Sequence, residues 1–436
     1  MKDKILSISP RQILKKGFLL GRFLLLAILI LGVRGEALAP EFQIDLQLGV
    51  LTRGVRFNWW QWQSNAISSE IIWWLQGRPA PVSDLIPESE IRDFVRRQQV
   101  IRTLEHQVQA EYARTTNSPD EPSRALVALE NTLKAEYQTQ QAVTTQAERI
   151  LADQVSQVLI AEGFGRNGAL WPPLTFRFND MPTYLIISER DKISQYRSLY
   201  LLPDMPAGDR SALETQIESA LGVSALVDNV GGIGSWPTMI SDPVSMSSVI
   251  DIIAHEWNHN YMVFYPLGIN YNTNPQMRTI NETVASIFGA EVSQAVLQRY
   301  YPDMLPKPRI KTNQSSAESS DTETQSPKQE SYSEAMRRIR LQVDDFLAEE
   351  KVEEAERYME QERQKLAERG IYLRKLNQAF FAFHGTYANN PASVDPIGPW
   401  LRELRTQHPT LKSFIDQVAQ FDDLEDLLNA IGEDES

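Results

Sequence analysis

The residues best suited to chemistry are two histidines four apart with a glutamate beside the first, in His255-Glu256-Trp257-Asn258-His259. They lie inside residues 249–263, where Val249, Ile250, Ile252, Ile253 and Met262 supply the buried side of an expected helix. On a helix, side chains four apart sit one above the other, so both imidazoles can ligate one ion while Glu256 projects beside it toward a bound water. Neutral imidazole suits zinc, and two histidines leave room for a third ligand and a water. The 436 residues include no cysteine, which excludes thiolate ligands, thiol nucleophiles and a disulfide framework. Any metal must therefore rest on histidine and carboxylate. Of the five histidines, His106 and His408 have no partner at ligand spacing and are expected at the surface.

A further acid follows after a turn-rich connection through Gly268, Asn270, Asn272 and Pro275, in Asn281-Glu282-Thr283-Val284-Ala285-Ser286-Ile287-Phe288-Gly289. A second helix is expected to return there. Glu282 can then meet the histidine pair and close a His, His, Glu set around one Zn2+ ion, the arrangement of catalytic zinc with one position open.

A His-Glu-x-x-His helix followed by Asn-Glu-x-x-Ala resembles the gluzincin metallopeptidases, which include thermolysin and the zinc aminopeptidases. The resemblance spans about residues 225–291. It implies a zincin-like core, His255, His259 and Glu282 as ligands, Glu256 as general base, and a peptide or protein as substrate. The metzincin pattern is absent, because Met262 and Tyr265 occupy the places of its Gly and third His. Ser286 stands where thermolysin-like enzymes place an Asp that orients a ligand, and Asp251, one turn before His255, is the candidate substitute in that outer shell. The Gly-x-Met-Glu-Asn element of the zinc aminopeptidases is not present. A weaker likeness, to a family of bacterial predicted aminopeptidases, rests on Leu376-Asn377-Gln378-Ala379 followed by His384-Gly385-Thr386-Tyr387 and Pro391. It makes Tyr387 and His384 candidate donors to a developing oxyanion, with ordinary packing as the other reading. Residues 236–240 are expected to form an edge strand along which an extended peptide pairs.

The elements that must position these groups give an expected α+β fold, mainly helical. Amphipathic spacing of Ile91, Phe94, Ile101, Leu104, Val108 and Tyr112, then of Leu126, Leu129, Leu133, Tyr137, Ala147, Leu151, Val155 and Leu159, predicts a long helical hairpin stopped at Gly163 and Gly165. Short apolar runs at 174–178, 184–187, 199–202 and 225–227 predict the strands of a small sheet, with a helix at 212–221. Gly231-Gly232-Ile233-Gly234-Ser235 is either a plain turn or a place of close backbone approach, and it lacks the lysine of a phosphate loop. Alternation of Phe42, Ile44, Leu46, Leu48 and Val50 predicts a strand. The crowded Trp59, Trp60, Trp62, Trp73 and Trp74 suit either a membrane-interface belt or core packing. One long charged helix is expected from Met336 to Arg369, ended by Gly370, with further C-terminal helices from Tyr372 to Ile431. The expected divisions are an N-terminal segment 1–39, a mostly helical region 40–165, a zincin-like catalytic core 166–311, an insertion 312–330 too polar to offset its ordering entropy, and a C-terminal helical region 331–436.

Composition narrows the partners. A net charge of −14 opposes affinity for phosphate backbones, so no nucleic-acid partner is expected. Lys2, Lys4, Arg11, Lys15, Lys16 and Arg22 precede an apolar run, Phe23 to Val33, with Glu36, Glu41 and Asp45 beyond. That asymmetry predicts export and a bacterial envelope location on the extracytoplasmic face, the segment being either a membrane anchor or a signal peptide cleaved near Ala37-Leu38-Ala39. Two rival readings remain open: a non-catalytic envelope scaffold with a degenerate core, and a structural metal closed by a fourth protein ligand.

Overall fold

The computed structural model describes residues 40–75, 88–115, 124–242, 244–305, 330–387 and 392–432. The expected N-terminal segment 1–39, nearly all of the insertion 312–330 and the turn at 389–391 lie outside them. The chain divides into two units, 1–53 and 54–436.

In the first unit Pro40–Leu51 is a helix, α1, where alternation predicted a strand. Ile44, Leu48 and Leu51 are also spaced as one helical face, and a run this short satisfies both periods. Leu48 is 2% exposed, whereas Leu46 and Val50 on the other faces are 52% and 74% exposed.

The second unit opens with α2 (Trp59–Leu75) and then the expected hairpin, α3 (Glu88–Thr115) and α4 (Arg124–Leu159). A π-turn over Ile160–Phe164 ends α4, with Gly163 at φ 94°, a left-handed backbone that glycine adopts without strain. Trp60 on α2 is exposed while Trp59 stacks on Tyr200 at 5.9 Å, so these tryptophans divide between surface and packing.

The strands fall into small sheets. β1 (Gly165–Arg166) and β2 (Ala169–Leu170) pair antiparallel. β3 (Phe176–Phe178) pairs parallel with β8 (Thr238–Ile240), which pairs antiparallel with β7 (Gly232–Ile233). β4 (Pro182–Ser188) lies between β5 (Arg197–Pro203) and β6 (Ser224–Asn229), antiparallel to both. Helix α5 (Ala207–Leu221) precedes β6 and ends on Gly222 in the left-handed region. The segment expected as an edge strand is thus the middle of its sheet. Both edges of β8 are occupied, and the edge strands are β3 and β7.

Two helices follow that carry the metal-site motif, α6 (Met246–Met262) and α8 (Pro275–Tyr300), joined through the single turn α7 (Pro266–Ile269). Ser245 caps α6 in a reciprocal box with Ser248, and Asn274 caps α8 by accepting from Met277 N–H at 2.8 Å. Beyond the insertion, the expected single helix is two, α9 (Tyr332–Ala348) and α10 (Val352–Glu368). They break at Glu350, whose φ of 59° cannot continue a helix. This Glu-Glu-Lys break has no glycine or proline to announce it. Among the described residues four short helices follow, α11 (Gln378–His384), α12 (Ile397–Thr406), α13 (Leu411–Val418) and α14 (Leu424–Ile431). The fold is α+β and mainly helical. No described helix is long and apolar enough to cross a membrane.

Two apolar cores organise the unit. The larger joins the hairpin to α6, α8 and α12–α14 through residues such as Phe94, Leu151, Trp257, Phe288 and Phe414. The smaller joins β4 and β6 to α9, α10 and α11 through Ile186, Leu226, Met336 and Phe381. Burial of such side chains contributes about 1.5–3 kcal/mol each. The candidate site lies where the two cores meet.

Candidate metal centre

Apolar residues on one side of α6 set the direction in which its histidines point. Val249, Ile250, Ile253 and Trp257 are buried, and Trp257 donates its indole N–H to the Pro172 carbonyl at 2.9 Å while its ring stacks on Tyr261 and Phe288. This fixes the rotation of α6 against α8. Gly289 permits their close crossing, since a Cβ there would strike the side chain and carbonyl of Asp251. Ser293 Oγ donates to the Ser247 carbonyl at 2.9 Å and ties the two helices near the start of α6.

The consequence is convergence of His255, His259 and Glu282. The two Nε2 atoms are 3.0 Å apart, and Glu282 Oε2 lies 3.4 Å from that of His255 and 3.6 Å from that of His259. Bonds of about 2.0–2.1 Å to a tetrahedral ion separate ligand atoms by about 3.3 Å, so this triangle has the dimensions of one face of a zinc tetrahedron. Glu282 Oε2 is buried and accepts no hydrogen bond. A buried, unpartnered carboxylate oxygen facing two imidazole nitrogens fits a shared cation.

Electrostatics point the same way. Burial alone would lift the Glu282 carboxyl, but His259 and His255 outweigh it and hold the acid well below its usual range. Burial opposes a charge on His259, yet the nearby Glu282 carboxylate outweighs it, with Glu256 and Asn281 adding to the effect, and its pKa is lifted to about 9. Without a metal, the cluster retains a proton. Burial is the largest influence on Glu256 and raises its carboxyl, with Glu282 adding to the shift and the histidines opposing it.

Two contacts that the sequence did not reveal orient the candidate ligands. Asn281 Nδ2 donates to the Leu267 carbonyl at 3.2 Å, which turns its Oδ1 to His259 Nδ1 at 2.8 Å. Nδ1 therefore carries the proton and Nε2 faces the cluster. The Tyr271 hydroxyl donates to Glu282 Oε1 at 2.5 Å, leaving Oε2 for the cluster. Asn281 adjoins the ligand in sequence and could have been suspected. Tyr271 sits in the connecting turn, where no periodicity identifies it.

The triad opens on a cavity of about 340 Å3, walled by Tyr184 and Tyr200 from the sheet, by Gly232 and Gly234, by Phe383 on α11 and by Tyr387 just after it. Asn377, which caps α11, also donates to the Ala225 carbonyl at 2.9 Å and so holds Phe383 and Tyr387 in register with β6. The glycine run is neither a plain turn nor a phosphate loop. A Cβ on Gly232 would come within 2.5 Å of Glu256 Oε1, so glycine lets β7 pass directly over that carboxylate. A larger cavity, about 570 Å3, lies elsewhere among Glu70, Glu148, Arg177 and Trp236 and contains none of the candidate residues.

The remaining candidates divide. Tyr387 lines the cavity, its phenol kept protonated by burial and by the Glu282 and Glu256 charges. His384 does not join it: its Nε2 meets Asp228 Oδ2 at 2.9 Å, and it faces a different cavity. One residue further along α11 turns it about 100° from Phe383, away from the cavity that Phe383 lines. Ser286 donates to the Glu282 carbonyl at 2.8 Å, the back-bond of a mid-helix serine, and orients no histidine. Asp251 shares a cavity with His255 and Glu256, but its buried Oδ1 has no hydrogen-bond partner and it does not bond His255. Asn281 occupies the orienting role expected of those two. His408 is half-buried, bonded to the Leu404 carbonyl at 2.9 Å. Compared with family models, curated proteins and solved structures, the chain matches none.

Proposed function

We propose that this chain is a zinc-dependent peptidase with a zincin-like core of the gluzincin kind, acting on peptide or protein substrates. The observation that carries the reading is the triangle of His255, His259 and Glu282 ligand atoms, 3.0, 3.4 and 3.6 Å on its sides, with Glu256 beside it in an open cavity. These three residues would hold one zinc ion, which when bound supplies Lewis acidity toward a carbonyl and lowers the pKa of a water. Glu256 takes the proton of the attacking water and returns it to the leaving amine, for which a buried carboxylate of raised pKa is suited. Tyr387 donates its phenolic proton to the oxygen that gains charge, a contact worth several kcal/mol in such sites.

An extended substrate pairs along the free edge of β7, the strand beside Glu256, in place of the 236–240 segment. The cluster offers three protein donors among the described residues, which favours a catalytic over a closed structural site. The basic N-terminus and the apolar run after it support export to the bacterial cell envelope.

Metal analysis beside peptide hydrolysis tests the reading. The full chain should carry one zinc, and Glu256→Gln should keep it while losing about 100- to 10,000-fold in kcat. Full turnover in zinc-bearing Glu256→Gln would overturn the assignment.

A further inference from the structure

Arg278 stands in the same cavity and has no part in holding the triad. It lies four residues before Glu282 on α8, so the two side chains leave the same helical face one turn apart. Its guanidinium sits over the Tyr271 ring, 5.4 Å from the centroid, and donates to Asn272 Oδ1 at 2.7 Å. The same Tyr271 bonds Glu282, so one aromatic ring separates the guanidinium from the metal ligand.

What Arg278 lacks is a counter-charge. Arg177, Arg338, Arg374 and Arg405 are each paired with a carboxylate, whereas Arg278 has none among the described residues. Its Nε is buried and without an acceptor. A guanidinium offers five donors in a planar fork that matches a carboxylate, and leaving a buried donor unmet is costly. The ring beneath and the amide beside it hold the fork in place. An anion entering the cavity would meet it preorganised.

We propose that Arg278 is a specificity residue that binds a substrate carboxylate, and that the site therefore prefers peptides bearing one close to the scissile bond. The guanidinium lies 5.4 Å from the centre of the Tyr271 ring whose hydroxyl reaches Glu282, and an extended chain advances about 3.3–3.6 Å per residue, so the carboxylate belongs within a few residues of the bond cleaved. Either a free C-terminus or an Asp or Glu side chain supplies that chemistry. The proposal rests on the peptidase reading, and its test is built to fail separately.

The zinc-loaded full chain is offered matched fluorogenic peptides with a free C-terminal acid or amide, and with Glu or Gln next to the scissile bond. The wild type should favour one acidic form by about 10- to 100-fold in kcat/KM, expressed mainly in KM. Which pair shows the preference identifies the source of the carboxylate. Arg278→Ala and Arg278→Gln should erase it and Arg278→Lys should restore part, with zinc content and unfolding midpoint unchanged. Equal cleavage of all forms by the wild type, or a preference surviving in Arg278→Gln, overturns the proposal. Equilibrium binding of the same peptides to zinc-loaded Glu256→Gln, with and without Arg278→Gln, reads the preference without turnover. Binding that depends on Arg278 beside a wild type that cleaves nothing would sink the peptidase reading and leave the carboxylate site standing.

Discussion

His259 and His384 each lie in the last turn of a helix and each face a carboxylate, but they are used differently. His384 commits its Nε2 to Asp228 in a 2.9 Å hydrogen bond and packs between Phe380 and Phe383, with ring centroids at 4.3 and 5.0 Å. His259 commits Nδ1 to the neutral Asn281 and leaves Nε2 3.6 Å from Glu282, beside the other imidazole. One imidazole is already satisfied. The other is oriented from behind, with Nε2 turned to the cluster. Which nitrogen is occupied, and by what, distinguishes a structural pair from a candidate ligand, more than the presence of histidine and acid does.

That contrast can be broken most directly at the ligands. His259→Ala should abolish stoichiometric zinc, weakening binding by more than the roughly 100-fold that an orienting contact is worth, while His384→Ala should leave zinc content untouched. Loss of zinc from His384→Ala would erase the distinction. Asn281→Ala comes next, with zinc affinity falling about 10- to 100-fold in competition with a chelator, and Asn281→Asp, which keeps the acceptor, recovering part of it.

Acidity sharpens the comparison further. His259 holds a proton up to a pKa of about 9, and a metal must displace it. Apparent zinc affinity should therefore rise about tenfold per pH unit from pH 6 toward 9, and a flat profile would contradict the proton-holding cluster. The smallest effect is expected at the other pair. Burial works against ionisation of Asp228, but the His384 hydrogen bond and the Asn229 N–H outweigh it and keep the acid below its ordinary range. Its stabilisation is present above the unfolded value of about pH 4 and lost as pH falls through the lower folded value. Asp228→Asn should thus cost about 1 kcal/mol at pH 7 and less near pH 3, read from thermal unfolding.

The legible parts of the molecule were those governed by local periodicity. The hairpin, the strands at 184–187, 199–202 and 225–227, and the helix carrying His255 and His259 stand where spacing placed them. Misreadings arose where periodicity was short or silent. Beside the alternation near Leu48, the spacing of Ile44, Leu48 and Leu51 fits a helix, and the break at Glu350 carries no turn residue. One of the two partners of β8, β3, is far away in sequence, so an edge could not be told from a centre.

By itself the sequence determined that two imidazoles and Glu256 share one helix and that a following helix brings an acid back, because helical spacing and caps are local properties of the chain. Only the tertiary structure decided that Glu282 reaches that pair, that Asn281 rather than Asp251 or Ser286 orients it, and that Tyr387 enters the cavity while His384 turns away. Those outcomes depend on how α6 crosses α8 at Gly289 and how α11 seats on β6. Close packing between distant segments sets side-chain directions to within a fraction of an ångström, and no one-dimensional pattern records it.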